Sequence, residues 1–279
     1  MVDIMTPLII NENDFCAGDD FKKRIIDVLY KYFFKQKAGL ETIYDEMKKE
    51  INADSNLKIK LYPVGGESLN KLALQHIQTN NSIYAGHDLP VWLNDPQSSD
   101  IRIMVISQDP RRNEKEMKEN NMPTSNVISI STPFGLHFKN WRSHKSKGLV
   151  HYLFDDMKNM FCNKKLGIYY TDIYKFRGVD SEDLDTSNLN VYINVLSCEI
   201  QLFKPDVILL MGKEAQDAWK TINPAINDTS KTKFIETPHP NARSIIWRKI
   251  YPDMQSCSSE KKRRMLLNEI NGSLRRLKK

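Results

Sequence analysis

The sequence predicts an α/β protein, a three-layer α/β/α sandwich with a central, mainly parallel four-stranded sheet. Short, almost wholly apolar runs recur from residue 101 onward, separated by segments with apolar residues at three- and four-residue spacing. Strands that are apolar on both faces belong in a sheet covered by helices on both sides, the usual setting of parallel strands. At 279 residues the chain can bury such a core as one domain over 1–279. A mostly helical part, 1–99, is expected to pack on an α/β core, 100–279, that ends in a basic helix.

Taken in order, residues 21–51 read as helix, on the spacing of Phe21, Ile25, Leu29, Tyr32 and Phe33. Asp19 or Asp20 would cap it, and Gly39 would divide it in two. Residues 57–64 alternate apolar and polar side chains like a short strand and stop at Pro63 and the Gly65-Gly66 turn. Residues 68–76 read as a second helix and 80–99 as turns. The first core strand is 101–106, closed by Asp109-Pro110, and the polar stretch 114–120 leaves the following helix open. Residues 147–161 have helical spacing through Leu149, Leu153, Met157 and Phe161. The remaining strands are expected at 166–171, 206–211 and 233–236, and the remaining helices at 189–203, 213–222 and 259–277. There is no internal repeat and no low-complexity linker.

Composition narrows the function classes. Hydrophobic residues make up 40% and charged residues 27%, an ordinary globular balance. No apolar run approaches the roughly 20 residues of a membrane span, and the opening Met-Val-Asp-Ile-Met-Thr-Pro lacks the basic flank and apolar stretch of a secretion signal. A soluble, monomeric protein of the cytoplasm, nucleoid or nucleus is expected, with no membrane partner. Cys16, Cys162, Cys198 and Cys257 lie far apart with no CxxC pair, so reduced thiols are expected rather than a zinc ribbon, iron–sulfur cluster or disulfide framework. No metal and no cofactor is expected. The net charge is +6, and its distribution says more. Arg243, Arg248, Lys249, Lys261, Lys262, Arg263, Arg264, Arg275, Arg276, Lys278 and Lys279 crowd the C-terminal segment against only Asp253, Glu260 and Glu269. Such a run reads either as a solvated helix face or as a surface that meets phosphates.

Parallel sheets bind ligands in the loops at the C-terminal ends of their strands. The first core strand is followed there by Ser107-Gln108-Asp109-Pro110-Arg111-Arg112, the second by Asp172, the third by Gly212, and the fourth by Thr237-Pro238-His239-Pro240-Asn241. Singly, Asp-Pro and His-Pro are common turn pairs and Asp172 could cap a turn. Together, two acids and a histidine converge on one sheet edge.

In this ordered set the sequence resembles the uracil-DNA glycosylase superfamily, as a divergent member. Ile103-Met-Val-Ile-Ser-Gln-Asp-Pro is similar to the family's apolar strand followed by Gly-Gln-Asp-Pro, and Gly135-Leu136-His137-Phe138 to its Gly-Leu-x-Phe. Asp172 stands where the family carries a base-reading Asn. The stretch from Phe203 through Gly212 to Ala215 is similar to the family's Pro-x-Val-x-x-x-Leu-Trp-Gly-x-x-Ala, and His239-Pro240-Asn241 to His-Pro-Ser. The resemblance runs from about Asp100 to Trp247 and barely reaches the N-terminal third.

What the resemblance implies is a DNA glycosylase that flips a nucleotide out of the helix and hydrolyses its N-glycosidic bond. Asp109 would face the oxocarbenium-like sugar and position water, and His239 would donate to the oxyanion growing on the departing base. Gln108, through its backbone, and Asp172 would read the base, and Phe138 would stack on it, with Phe134 in reserve. Arg111, Arg112, Asn241 and Arg243 would hold DNA. Neither chemical task needs a metal. Three positions depart from the family pattern: Arg111 replaces a Tyr that blocks the thymine methyl, Asp172 the base-reading Asn, and Arg243 an apolar wedge. An ionised Asp172 only accepts hydrogen bonds, which suits an exocyclic amino group, whereas burial could instead protonate it. The substrate is therefore read as uracil or a modified pyrimidine. The alternative is a catalytically silent nucleic-acid-binding protein on the same fold. A small-nucleotide domain would need a GxGxxG or GxxxxGK[ST] loop, which the sequence lacks.

Overall fold

The computed structural model describes residues 13–52, 72, 75–77, 84–108, 129–133, 148–178, 188–223, 232–240, 242–254 and 257–277. Its centre is a five-stranded sheet in the order β2-β5-β3-β7-β8. β3 (Ile101–Ser107), β5 (Leu166–Asp172), β7 (Val207–Met211) and β8 (Lys233–Thr237) are mutually parallel and are the four core strands read from the sequence. A fifth strand, β2 (Val91–Leu93), joins the β5 edge antiparallel, and its three residues within a turn-rich stretch are too few to show an alternation. A second, three-stranded sheet pairs β1 (Tyr84–Asp88) with β4 (Ser129–Ser131) and β6 (Phe176–Gly178). The segment 80–99, expected as turns, thus supplies two strands, and the first 99 residues are not helical alone.

Every residue of β5 and β7 is buried, so helices must cover both faces. Alternation along β5 shows which helices do so. Tyr169 meets Phe21 of α1 (Asp19–Phe33) at 6.1 Å and Phe203 of α4 (Leu189–Phe203) at 5.2 Å between ring centroids. Its neighbour Tyr170 points the other way, to Phe154 of α3 (Gly148–Met160) at 6.0 Å. α1 and α4 therefore form one outer layer. α3 packs against α7 (Ser259–Leu277) in the other. α5 (Lys213–Ile222) follows β7 directly, and α6 (Ser244–Ile250) follows the loop after β8.

At the N-terminal side, α1 is separated from α2 (Lys37–Asn52) at Phe34, not at Gly39. Phe34 is extended at φ −123° and ψ 146°, fully buried, and bridged to Ile77, so tertiary burial rather than glycine breaks the helix. The N-cap is Gly18, with Asp19 and Asp20 inside the first turn, where carboxylates favour the helix dipole. α2 is tied to the segment leading into β2: the Tyr44 ring lies tilted against Trp92 at 5.7 Å and its hydroxyl donates to the Pro90 carbonyl at 2.8 Å, while the β2 edge itself is bonded by residues 14–16. The strand expected at 57–64 lies outside the described residues; within 68–76, Leu72, Gln75 and His76 are helical.

Candidate active site

The parallel strands β5, β3, β7 and β8 end in that order along one edge of the sheet, and their following residues meet there. Ser107 and Asp172 face each other across β3 and β5, both buried, and the Ser107 hydroxyl donates to Asp172 Oδ1. Just beyond, the Ile173 N–H donates to the Ser107 carbonyl at 3.0 Å and the Tyr174 N–H to the Gln108 carbonyl at 2.9 Å. These bonds tie the turn after β5 to the backbone of Gln108. Asp172 lies on the α3 side of the sheet, the side to which Tyr170 points. Burial first, then the charges of Asp172 and Asp88, hold the Tyr170 hydroxyl well above the usual tyrosine range.

On the opposite side of the edge, Thr237 and Pro238 are buried and His239 is partly exposed. The Ala242 N–H closes the histidine turn on the His239 carbonyl at 2.8 Å. Lys262, from α7, donates to the Pro240 carbonyl at 3.2 Å and lies over the Trp247 ring at 4.9 Å. Its partial burial lowers its pKa from the ordinary lysine value.

Gly212 stands between the two halves. Its N–H donates to the Thr237 carbonyl at 2.9 Å, and its φ of +96° belongs to the region that glycine enters without strain. A Cβ there would come within 3.3 Å of the His239 Cβ. Two inter-strand steps, about 10 Å, separate β3 from β8, and the residue at the midpoint carries no side chain.

Of the residues singled out in the sequence, Gln108, Asp172 and His239 come together here. Arg243 is exposed and forms the N-cap of α6, at the end of the histidine loop. Asp109, Arg111, Arg112, Phe138 and Asn241 lie outside the described residues, as do Phe134, Lys278 and Lys279. The C-terminal basic run divides. Arg263 is bonded to Asp156 at 2.6 Å and lies over Tyr152, and Lys262 is engaged as above, while Lys261, Arg264, Arg275 and Arg276 are exposed. The run therefore includes cations committed to the fold itself.

Sequence reasoning missed several groups. Asp88, at the end of β1, is buried beside Tyr170. Thr171, Lys175 and Glu199 form a fully buried polar cluster behind Asp172. Glu199 did leave a signal, being the only charged residue in the fifteen of α4 and lying three and four residues from Leu196, Val195 and Phe203 on its apolar face. Among the described residues, no group of three or more His, Cys, Asp or Glu is placed to hold a metal ion, and no helix is long and apolar enough to cross a membrane.

The family model of the uracil DNA glycosylase superfamily matches residues 96–270. That span holds all four parallel strands and reaches into α7. No curated protein matches the chain.

Proposed function

The chain belongs to the uracil DNA glycosylase superfamily, and on that premise we propose that it is a DNA N-glycosylase acting on uracil or a modified pyrimidine. The observation that carries the proposal is the placement of Gln108, Gly212 and His239 just past the ends of three adjacent parallel strands, with Asp172 at the end of the strand beside the first. A base stacked inside a duplex cannot reach such an edge, so the nucleotide must be turned out of the helix. The base then lies over Gly212, with its reading edge toward Gln108 and Asp172 and its ring against Phe138. As the glycosidic bond breaks, positive charge grows on the sugar and negative charge on the base. Asp109, the next residue after Gln108, supplies fixed negative charge to the sugar and orients the attacking water. His239 donates to the base oxygen on which charge accumulates. Donors and charges held in place before reaction need no reorganisation at the moment of bond cleavage, which is where their catalytic effect lies. Arg243, exposed at the end of the histidine loop, holds the DNA backbone together with Arg111, Arg112 and Asn241.

The carboxylate at position 172 in place of an amide favours a second reading, a protein on this fold that binds nucleic acid without cutting it. The two are separated by mass spectrometry of the free bases released from DNAs carrying uracil and modified pyrimidines. Asp109→Asn should lower release from the best substrate by several orders of magnitude, with DNA affinity within a few-fold, because the lost interaction acts on the transition state. Equal release by wild type and variant would remove Asp109 from the mechanism. No release from any substrate would leave the binding protein.

A further inference from the structure

Behind the turn that follows β5 sits a charged cluster that the proposed chemistry does not use. Lys175 and Glu199 are both 0% exposed. The Lys175 ammonium donates to Glu199 Oε1 at 2.9 Å, to Oε2 at 2.8 Å, and to the Thr171 hydroxyl, while that hydroxyl donates to Glu199 Oε2 at 3.1 Å. Each N–H of the ammonium thus has an acceptor, and both carboxylate oxygens are engaged. Burial raises the Glu199 pKa, and Lys175 and Thr171 oppose the rise.

A buried ion pair of this kind contributes little net stability against well-packed apolar side chains of the same volume. Its position is more informative. Thr171 and Lys175 bracket Asp172, Ile173 and Tyr174. Thr171 points to the α4 face and Asp172 to the α3 face, so the pair grips the turn from the side of the sheet opposite the Asp172 carboxylate. Toward β3 the same three residues bond Ser107 and Gln108, through the Asp172 carboxylate on the α3 face and through the Ile173 and Tyr174 N–H groups in line with the strand pairing. Farther along, the Lys175 carbonyl accepts from His87 Nδ1 at 2.7 Å, and His87 is stacked on Phe176 at 4.3 Å. The turn is therefore fixed at both ends and on both faces.

We infer that the Lys175–Glu199 pair is a positioning device for base excision, anchoring the Asp172–Tyr174 turn against Gln108 so that the reading wall of the pocket is set before DNA arrives. This rests on the reading of the strand ends as a base pocket. Neither residue touches the substrate; both act through Asp172 and Gln108.

The test uses the full chain and the double variant Lys175→Met with Glu199→Leu, because either single change strands a buried charge. Amide exchange is read at Ile173 and Tyr174, and single-turnover release is read on the best substrate from the base panel. In the double variant, exchange at those two amides should quicken at least about ten-fold while β7 stays as slow as in wild type. Single-turnover release should fall about ten- to hundred-fold, the scale expected of a misplaced reacting group, with the DNA Kd within two-fold. Unchanged exchange overturns the inference, as does faster exchange with an unchanged rate. Loss of cooperative unfolding in the double variant would make the pair a stability element, and the inference falls. If wild type releases no base at all, the glycosylase reading fails by itself, and the exchange measurement still decides whether the pair holds the turn.

Discussion

Asp172 offers acceptors only while it is ionised, and one of its oxygens already receives the Ser107 hydroxyl. A pocket with such a wall suits a base edge that presents donors and disfavours one that presents a carbonyl oxygen. Asp172→Asn should therefore raise release of uracil relative to cytosine-type bases. Removing one buried mismatch amounts to about 1–3 kcal/mol, or roughly ten- to hundred-fold in the ratio of rates. Competition assays on paired substrates measure that ratio, and an unchanged value would make Asp172 a strand-end residue that never meets the base. Cys16 shows a titration of a different kind. It is fully buried, and burial pushes its thiol from 9.0 up to about 12. An acid whose folded pKa is raised stabilises the fold in full below its unfolded pKa, and that stability is lost as pH rises from about 9 toward 12. Between pH 8 and 10 the loss from this one thiol is about 1 kcal/mol. Urea unfolding at the two pH values should show Cys16→Ala losing about that much less than wild type. An identical pH dependence would mean that the thiol ionises within the fold.

The last helix illustrates how an element can serve two masters. α7 packs its apolar face on α3 and the sheet, yet Lys262 from its first turn holds the Pro240 carbonyl and covers Trp247. Lys262→Met keeps the apolar stem over the ring and removes the hydrogen bond. The expected cost is about 1 kcal/mol, or roughly 2–4 °C in Tm for a chain of this size. Lys261→Met, one residue earlier and exposed, should stay within about 0.5 kcal/mol of wild type. Calorimetry of the two variants checks the contrast, and equal Tm values would release the histidine loop from α7. The bounds of α4, α5 and α7 were legible because each carries a complete helical stripe in its own sequence. β3, β5 and β7 were legible because they are apolar on both faces. β1 was not: Tyr84-Ala-Gly-His-Asp has no alternation, and its partners β4 and β6 lie far away in the chain. α6 escaped because it is only seven residues long, under two turns, too short for a helical stripe to show. At the candidate site, the strand-end order gave Gln108, Asp172 and His239. Lys262 was legible only as one basic residue in a run, because the carbonyl it holds is brought to it by tertiary folding.

Across the molecule, the excess of +6 is not spread evenly over the face that would meet DNA. Arg243, Arg248 and Lys249 are exposed on or beside α6, which leads directly out of the histidine loop. Arg275 and Arg276 are exposed as well, but at 1.5 Å per residue they stand about 20 Å along α7 from Lys262 and the loop it holds. Arg276 is also turned onto its own helix, donating to the Gly272 carbonyl at 3.2 Å. A duplex seated over the strand ends would thus neutralise its phosphates against the α6 cations first. Each phosphate contact adds roughly 0.9 to the slope of log affinity against log salt. Replacing Arg243, Arg248 and Lys249 together with Gln should flatten that slope by about 2–3, whereas replacing Arg275 and Arg276 should move it by less than about 0.5. Fluorescence anisotropy of a labelled duplex across a salt series reads both slopes. A larger change from the Arg275 and Arg276 pair would put the DNA on the far end of α7, away from His239, and would separate the binding surface from the candidate site.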